Sequence, residues 1–170
     1  MSGPERTFAM VEVGVAHTPL KERREAPQQP GPEGRSHEAH NRAGVEGWIR
    51  IHAPYRGCLA DLDSFSHAWL LFVFDRNQGW KPKVRPPRGG PHRGLFGTRG
   101  PHRPTSIGMT AVEVMEVTDD AVRVAGLDLL DGTPVVDIKP YLPFTDSHPD
   151  ASVGWLADVL SPATSDEDTP

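Results

Sequence analysis

With 170 residues, 36% of them hydrophobic, and a formal net charge of −5, the chain has room for one domain with a modest core. Its one cysteine, Cys58, excludes an internal disulfide framework and any cysteine-based zinc site, and no apolar stretch approaches the ~18 residues of a membrane-spanning helix. The 17 glycines and 18 prolines fall in clusters that suit neither helix interiors nor central strands, which predicts a body rich in loops.

Residues 8–17 (FAMVEVGVAH) alternate as a first strand, ended by Thr18-Pro19 because proline cannot donate to a ladder. The N-terminus lacks a basic region followed by an apolar run, so a soluble, unprocessed, cytoplasmic protein is expected. Residues 21–43 are polar and rich in Pro, Gly and charge, without helical or strand period; they read as a long excursion, either mobile or ordered by a ligand. Residues 47–51 (GWIRI) predict a second strand with Trp48 on one face and Ile49 and Ile51 on the other, followed by a turn at residues 54–57. Leu59, Leu62 and Phe65 are spaced by three, which fits a short helix over residues 59–65.

Residues 67–74 (HAWLLFVF) form the most apolar run and are expected to be a strand buried on both faces. Residues 93–97 are a further strand candidate. Residues 107–117 (IGMTAVEVMEV) alternate with Val112 and Val114 inward and Glu113 and Glu116 outward, and Asp119-Asp120 turns the chain into a partner strand over residues 121–125. Residues 134–138 (PVVDI) add another strand. Asp150 or Ser152 is placed to cap a short helix reaching Leu160. Residues 1–160 are expected to be one domain, and residues 161–170 a disordered acidic tail. Many short strands, with no long helix alternating between them, predict a mainly β barrel or sandwich rather than a Rossmann-type α/β sheet.

Charge is segregated. Residues 76–103 hold eight Lys or Arg and no Asp or Glu, whereas the tail holds Asp166, Glu167 and Asp168 without a base. The first stretch is a candidate anion-binding strip, and a solvated cationic loop explains its charge equally well. The glycine-rich dinucleotide and phosphate loops and the GxSxG elbow are absent. The chain has eight histidines, but His37 and His40 lie in the irregular excursion and no HExxH or HxH pattern occurs, so no metal site is expected. Ser66 and His67 are adjacent in a strand and point to opposite faces, which argues against a nucleophile and base pair. Cys58 reads as a buried, inert cysteine.

Three segments are not explained by propensity: residues 84–88 (VRPPR), residues 94–108 (GLFGTRGPHRPTSIG) and residues 127–141 (LDLLDGTPVVDIKPY). The second sets glycines, which permit close backbone approach, beside arginines that can clamp a carboxylate or phosphate. The plainer alternative is a pair of tight connections whose charges form surface ion pairs.

Together with residues 27–31 and 66–74, residues 94–108 and 127–141 resemble the TsaA-like family, whose characterised members are tRNA methyltransferases of the TrmO type; the similarity runs over residues 11–150. The resemblance implies a compact non-Rossmann β-barrel with short helices and long loops, a homodimer, and S-adenosylmethionine as cofactor. It also implies methylation of the N6 nitrogen of threonylcarbamoyladenosine beside the tRNA anticodon. Carried over by position, Pro27, Gln28, Gln29, Asp75, Arg76, Arg99, Met109, Gly126, Leu127 and Asp128 would bind the cofactor. Asp137, Lys139 and Tyr141 would line the acceptor side as the catalytic residues, and Arg85, Arg88 and Arg103 would bind substrate anions. The family usually has Arg at the place of Gln28, His-Gln at Asp75-Arg76 and Asn-Pro at Thr105-Ser106. A retained cofactor fold is therefore implied while the acceptor stays open. A small-molecule methyltransferase and a non-catalytic cofactor sensor are the alternatives to the tRNA enzyme.

Overall fold

The computed structural model describes residues 6–26, 45–86 and 90–160. Eight strands occur in chain order: β1 (Gly14–His17), β2 (Glu46–Ile51), β3 (His67–Val73), β4 (Lys83–Val84), β5 (Arg93–Gly94), β6 (Ile107–Val117), β7 (Ala121–Ala125) and β8 (Pro134–Pro140). Two short helices follow, α1 (Pro143–Asp146) and α2 (Leu156–Leu160). Six strands close an antiparallel barrel in the order β1-β2-β7-β6-β3-β8, and the pairs Gly14↔Val135 and Val15↔Pro134 join its last strand to its first. The remaining two, β4 and β5, form a separate hairpin.

Period-two alternation decides which side chains fill the barrel. Ile49 and Ile51 of β2, Ala68, Leu70 and Phe72 of β3, Val112 of β6, Val122 and Val124 of β7 and Val135 of β8 are all buried in one cluster. Leu127 and Leu129, in the connection from β7 to β8, plug one end. At the other end two 3-10 turns, Ala53–Leu59 and Leu62–Ser64, supply Leu59 and Leu62. The β6–β7 hairpin turns at Asp119-Asp120, where the Thr118 amide donates to the Ala121 carbonyl and the Ala121 amide to Thr118 Oγ1. Its register shifts between Val114 and Glu116, a bulge at Met115.

Several expectations need correction. The run at residues 67–74 is not buried on both faces: Ala68, Leu70 and Phe72 are buried, whereas Trp69, Leu71 and Val73 are half-buried on the outer wall. A closed barrel has one interior, and among the described residues no second sheet is layered over this wall. Regular pairing in β1 begins at Gly14 rather than Phe8, and Phe8, Met10 and Val11 are exposed. The helix expected over residues 59–65 is interrupted because Asp61 adopts a left-handed conformation (φ +66°) that separates the two 3-10 turns. The strand candidate at residues 93–97 is two residues of β5 and then a 3-10 turn, Leu95–Gly97. Gly154, at φ +57°, delays the last helix to Leu156, while β8 runs two residues past Ile138. Cys58, expected to be buried, is exposed, since the 3-10 turn that carries it buries Leu59 instead. The acidic tail lies outside the described residues.

Candidate active site

The residues singled out from the sequence fall into three places. Pro27, Gln28, Gln29 and Arg88 lie outside the described residues.

The first place is the barrel end plugged by Leu127 and Leu129. The exit of β3 is held by the Phe74 amide, which donates to the Ser106 carbonyl, and the chain then turns through Asp75 and Arg76. Arg76 Nη2 donates to the Asp131 carbonyl at 2.6 Å. The amides of Gly126 (φ +87°) and Leu127 both donate to the Val45 carbonyl, laying residues 126–128 across the root of β2. Leu127 is fully buried and belongs to the plug, while Gly126 and Asp128 on either side of it are half-buried. The Arg76 hydrogen bond joins the Asp75-Arg76 turn to the segment that runs from Gly126 through Leu127 and Asp128 to Asp131.

At the same end stands a residue the sequence reading missed. The Asp131 carboxylate accepts hydrogen bonds from Lys21 Nζ at 2.7 Å and from the Thr18 amide at 3.1 Å, with His17 Nδ1 at 3.8 Å. Its own amide donates to the Leu20 carbonyl at 2.7 Å. The Lys21 hydrogen bond is the main cause that holds this carboxyl below the ordinary aspartate range, with the Thr18 amide acting the same way against partial desolvation. Thr18 is itself buried, and its hydroxyl reaches the Leu129 carbonyl at 3.0 Å. The only sequence signal was the Asp-Gly turn at Asp131-Gly132.

The second place is the outer wall of β6, β3 and β8. Met109 and Asp137 both stand opposite Leu71, one on each neighbouring strand, so their backbones are about 10 Å apart at ordinary strand spacing. Lys139 Nζ pairs with Asp137 Oδ2 at 2.7 Å, and the Ile138 amide donates to Oδ1 at 2.9 Å, so both carboxylate oxygens have donors. This is the surface ion pair that the plainer reading anticipated. Tyr141 packs on Trp69 with ring centroids 5.4 Å apart, and Trp69 Nε1 donates to Asp146 at 2.9 Å.

The third place is the arm between β3 and β6, residues 77–106, built on the β4–β5 hairpin and anchored by the buried Leu95. Arg103 was read as a substrate clamp, yet its Nη1 faces the carbonyls of Leu95, Thr98 and Gly100 at 3.5, 3.0 and 3.4 Å. Its guanidinium lies 5.6 Å from the centroid of the exposed Phe96. Arg85 Nε donates to the Gly90 carbonyl, while Arg99 is exposed on the following loop. Trp155 ties the C-terminal segment to the arm: its Nε1 donates to the Gly97 carbonyl at 2.8 Å, and Arg93 stacks 5.1 Å over its ring. The glycines of residues 94–108 divide in purpose. A Cβ at Gly94 would meet open space, whereas one at Gly108 would run into Phe72, so the close approach there serves the core.

An open depression of about 350 Å³ on the outer wall of β2 and β7 is lined by His17, Trp48, Arg50, Thr118, Asp120 and Ala121, and none of these residues was singled out from the sequence. Arg50 and Arg56 both pair there with Asp120, at 3.0 and 3.7 Å. Among the described residues no group of three or more His, Cys, Asp or Glu is placed to hold a metal, and no helix is long and apolar enough to cross a membrane.

A closed six-stranded antiparallel barrel, with loop backbone and an arginine gathered at one end, defines an all-β class that binds ligands without a parallel-sheet crevice. The family model described as the tRNA-methyltransferase O N-terminal domain matches residues 15–147, and the chain belongs to that family. It is similar to the tRNA (adenine(37)-N6)-methyltransferase of Escherichia coli (strain K12), with 43% identity over 159 residues that cover 88% of this chain and 64% of that protein. It is also similar to a probable S-adenosyl-L-methionine-binding protein of Pyrococcus abyssi (strain GE5 / Orsay), at 33% identity over 85% of this chain and 73% of that one. Among solved structures it resembles the crystal structure of TrmO from Pseudomonas aeruginosa, with a TM-score of 0.72 and 31% identity, covering 92% of this chain and 66% of that one. The chain spans about 64% of the length of the Escherichia coli relative.

Proposed function

We propose that the chain is an S-adenosylmethionine-dependent methyltransferase acting on the N6 nitrogen of threonylcarbamoyladenosine in tRNA, next to the anticodon. The observation that carries this reading is the family match over residues 15–147, which spans the whole barrel and the arm. The barrel end fits the cofactor chemically: Arg76 offers a fixed cation for a carboxylate, and the half-buried Gly126 and Asp128 stand beside an apolar plug. When bound, S-adenosylmethionine would supply a methyl group on a positively charged sulfur. The residues of this chain would then bind and orient, because correct alignment of acceptor and donor alone supplies up to ~7–11 kcal/mol and needs no covalent intermediate. Asp137, Lys139 and Tyr141 would line the acceptor side, and Asp137 would have to release Lys139 before serving as a base.

The arm supports RNA as the acceptor. Residues 77–106 hold seven Lys or Arg and no Asp or Glu, despite the acidic total. We further propose that residues 1–160 form one domain, that the protein works in the cytoplasm, and that it is a homodimer. The dimer is supported by the apolar outer wall, where Ile107 and Met109 are 40% and 49% exposed beside Leu71 and Val73.

The test is methyl transfer from labelled S-adenosylmethionine to tRNA carrying threonylcarbamoyladenosine. Transfer is expected, and Lys83→Ala should weaken tRNA binding with a salt slope reduced by about 0.7–0.9. Cofactor binding without any transfer to tRNA would reject the proposed acceptor.

A further inference from the structure

Arg76 is exposed, yet its guanidinium is not free to wander. Nη2 is fixed on the Asp131 carbonyl at 2.6 Å. That carbonyl is itself held, because the Asp131 side chain binds Lys21 and the Thr18 amide while the Asp131 amide binds Leu20. Gly132 has φ +81°, which favours glycine at the turn, and a Cβ there would stand 3.1 Å from Arg76 Nη2 and crowd the guanidinium slightly. Three chain segments therefore converge on one guanidinium: the exit of β1, the exit of β3 and the entry to β8. A long side chain on a surface ordinarily loses much of its binding energy to ordering; here the fold has already imposed that order.

We propose that Asp131 is a positioning residue that, together with Lys21 and Thr18, aims Arg76 as a preorganised receptor for an anionic oxygen at the barrel end, and that the anion is the carboxylate of the amino-acid moiety of S-adenosylmethionine. The proposal rests on the reading of this end as the cofactor site. A backbone phosphate of RNA carries the same chemistry, and the experiment separates the two. Asp131→Asn keeps an acceptor for the Thr18 amide and loses the Lys21 ion pair; Asp131→Ala loses both anchors.

Calorimetric titration with S-adenosylmethionine and with 5′-methylthioadenosine, which lacks the amino-acid moiety, reads the effect without turnover. For S-adenosylmethionine, Kd should rise about tenfold in Asp131→Ala and less in Asp131→Asn, the scale of one weakened charge-assisted hydrogen bond. For 5′-methylthioadenosine it should stay unchanged. Arg76→Met should reproduce the pattern, and Arg76→Met with Asp131→Ala should be no worse than Arg76→Met alone. Equal losses for both ligands would mean a merely structural Asp131 and would overturn the proposal, as would no loss for either. Weakened tRNA binding with the S-adenosylmethionine affinity intact would assign the receptor to phosphate and refute the carboxylate. Should Asp131→Ala fail to fold, Asp131→Asn carries the comparison. Failure of the unaltered protein to bind either ligand would refute the cofactor reading itself.

Discussion

Replacing Gly108 by alanine tests how tightly the barrel interior is built. Gly108 of β6 pairs directly with Phe72 of β3. A Cβ added at Gly108 would lie 2.2, 2.4 and 2.8 Å from three carbons of the Phe72 ring. Carbon atoms in good contact sit ~3.5–4.0 Å apart, so the nearest overlap exceeds an ångström. Phe72 is 3% exposed, and its ring is pinned edge-on against Phe74 at 5.1 Å, which leaves it little room to rotate away. Overpacking of this kind costs about 1–3 kcal/mol, and the pinned ring places this site near the upper end. The loss of glycine freedom in the unfolded chain returns roughly 0.4–1 kcal/mol, so a net loss of about 2 kcal/mol is expected. In a chain of this size that lowers Tm by about 4–8 °C. Urea unfolding of Gly108→Ala, Phe72→Leu and the double variant forms the assay. The double variant should be more stable than the summed single effects predict, by about 1 kcal/mol or more, because the smaller side chain vacates the space the methyl needs. Additive effects within ~0.5 kcal/mol would show that the methyl is absorbed elsewhere and would refute the reasoning.

Trp155→Ala should loosen the arm without unfolding the barrel, because it removes both the Gly97 hydrogen bond and the platform for Arg93; amide exchange of residues 93–100 should quicken roughly 5–30-fold while β3 and β6 stay protected. Acid should act on Asp131. Its carboxyl is held low in the folded chain, so the stability it contributes is complete above the unfolded aspartate value of about 4 and is lost as pH falls through the folded value. The Tm gap between the unaltered protein and Asp131→Asn should therefore be largest near neutrality and shrink below about pH 4. Asp146 is also held low, chiefly by the Leu142 amide and then by Trp69, and its contribution fades on the same side of the pH scale. The gap between the two proteins, rather than the total slope, is thus the readout, and a gap that stays constant down to acid pH would contradict the Lys21–Asp131 pairing.

The barrel was most legible where alternation and turn chemistry agreed. In β6 and β7, Val112 and Val114 and then Val122 and Val124 alternate about an Asp-Asp turn, and the strands occupy the expected residues. Legibility failed where one signal had two causes. The apolar outer positions of β3 look like a second buried face, although they are the wall of a closed barrel. The glycines of residues 94–108 look like one ligand cradle, although Gly108 makes room for a ring. Asp137 and Lys139 are two apart on one strand, and their pairing follows from spacing alone. Asp131 could not be found that way: its partner Lys21 lies more than a hundred residues earlier, and only closure of the barrel brings β1 beside the entry to β8. Arg103 was singled out for its charge, whereas its geometry shows a side chain that organises its own loop.

Closure of the barrel has a consequence for assembly. An open sheet offers a row of unpaired amides and carbonyls at its margin, and another chain can extend it strand by strand. Here each of the six strands has a neighbour on both sides, so the barrel has no margin from which a joint sheet could grow. The proposed dimer would therefore rest on side chains lying flat against side chains, and a single charge placed at Met109 should weaken it while leaving every ladder hydrogen bond in place. The two-residue hairpin on the arm is the one paired element among the described residues with free edges, and it is flanked by lysines and arginines that repel another copy of themselves. The cationic residues proposed to meet RNA would also oppose pairing of the arm with its twin.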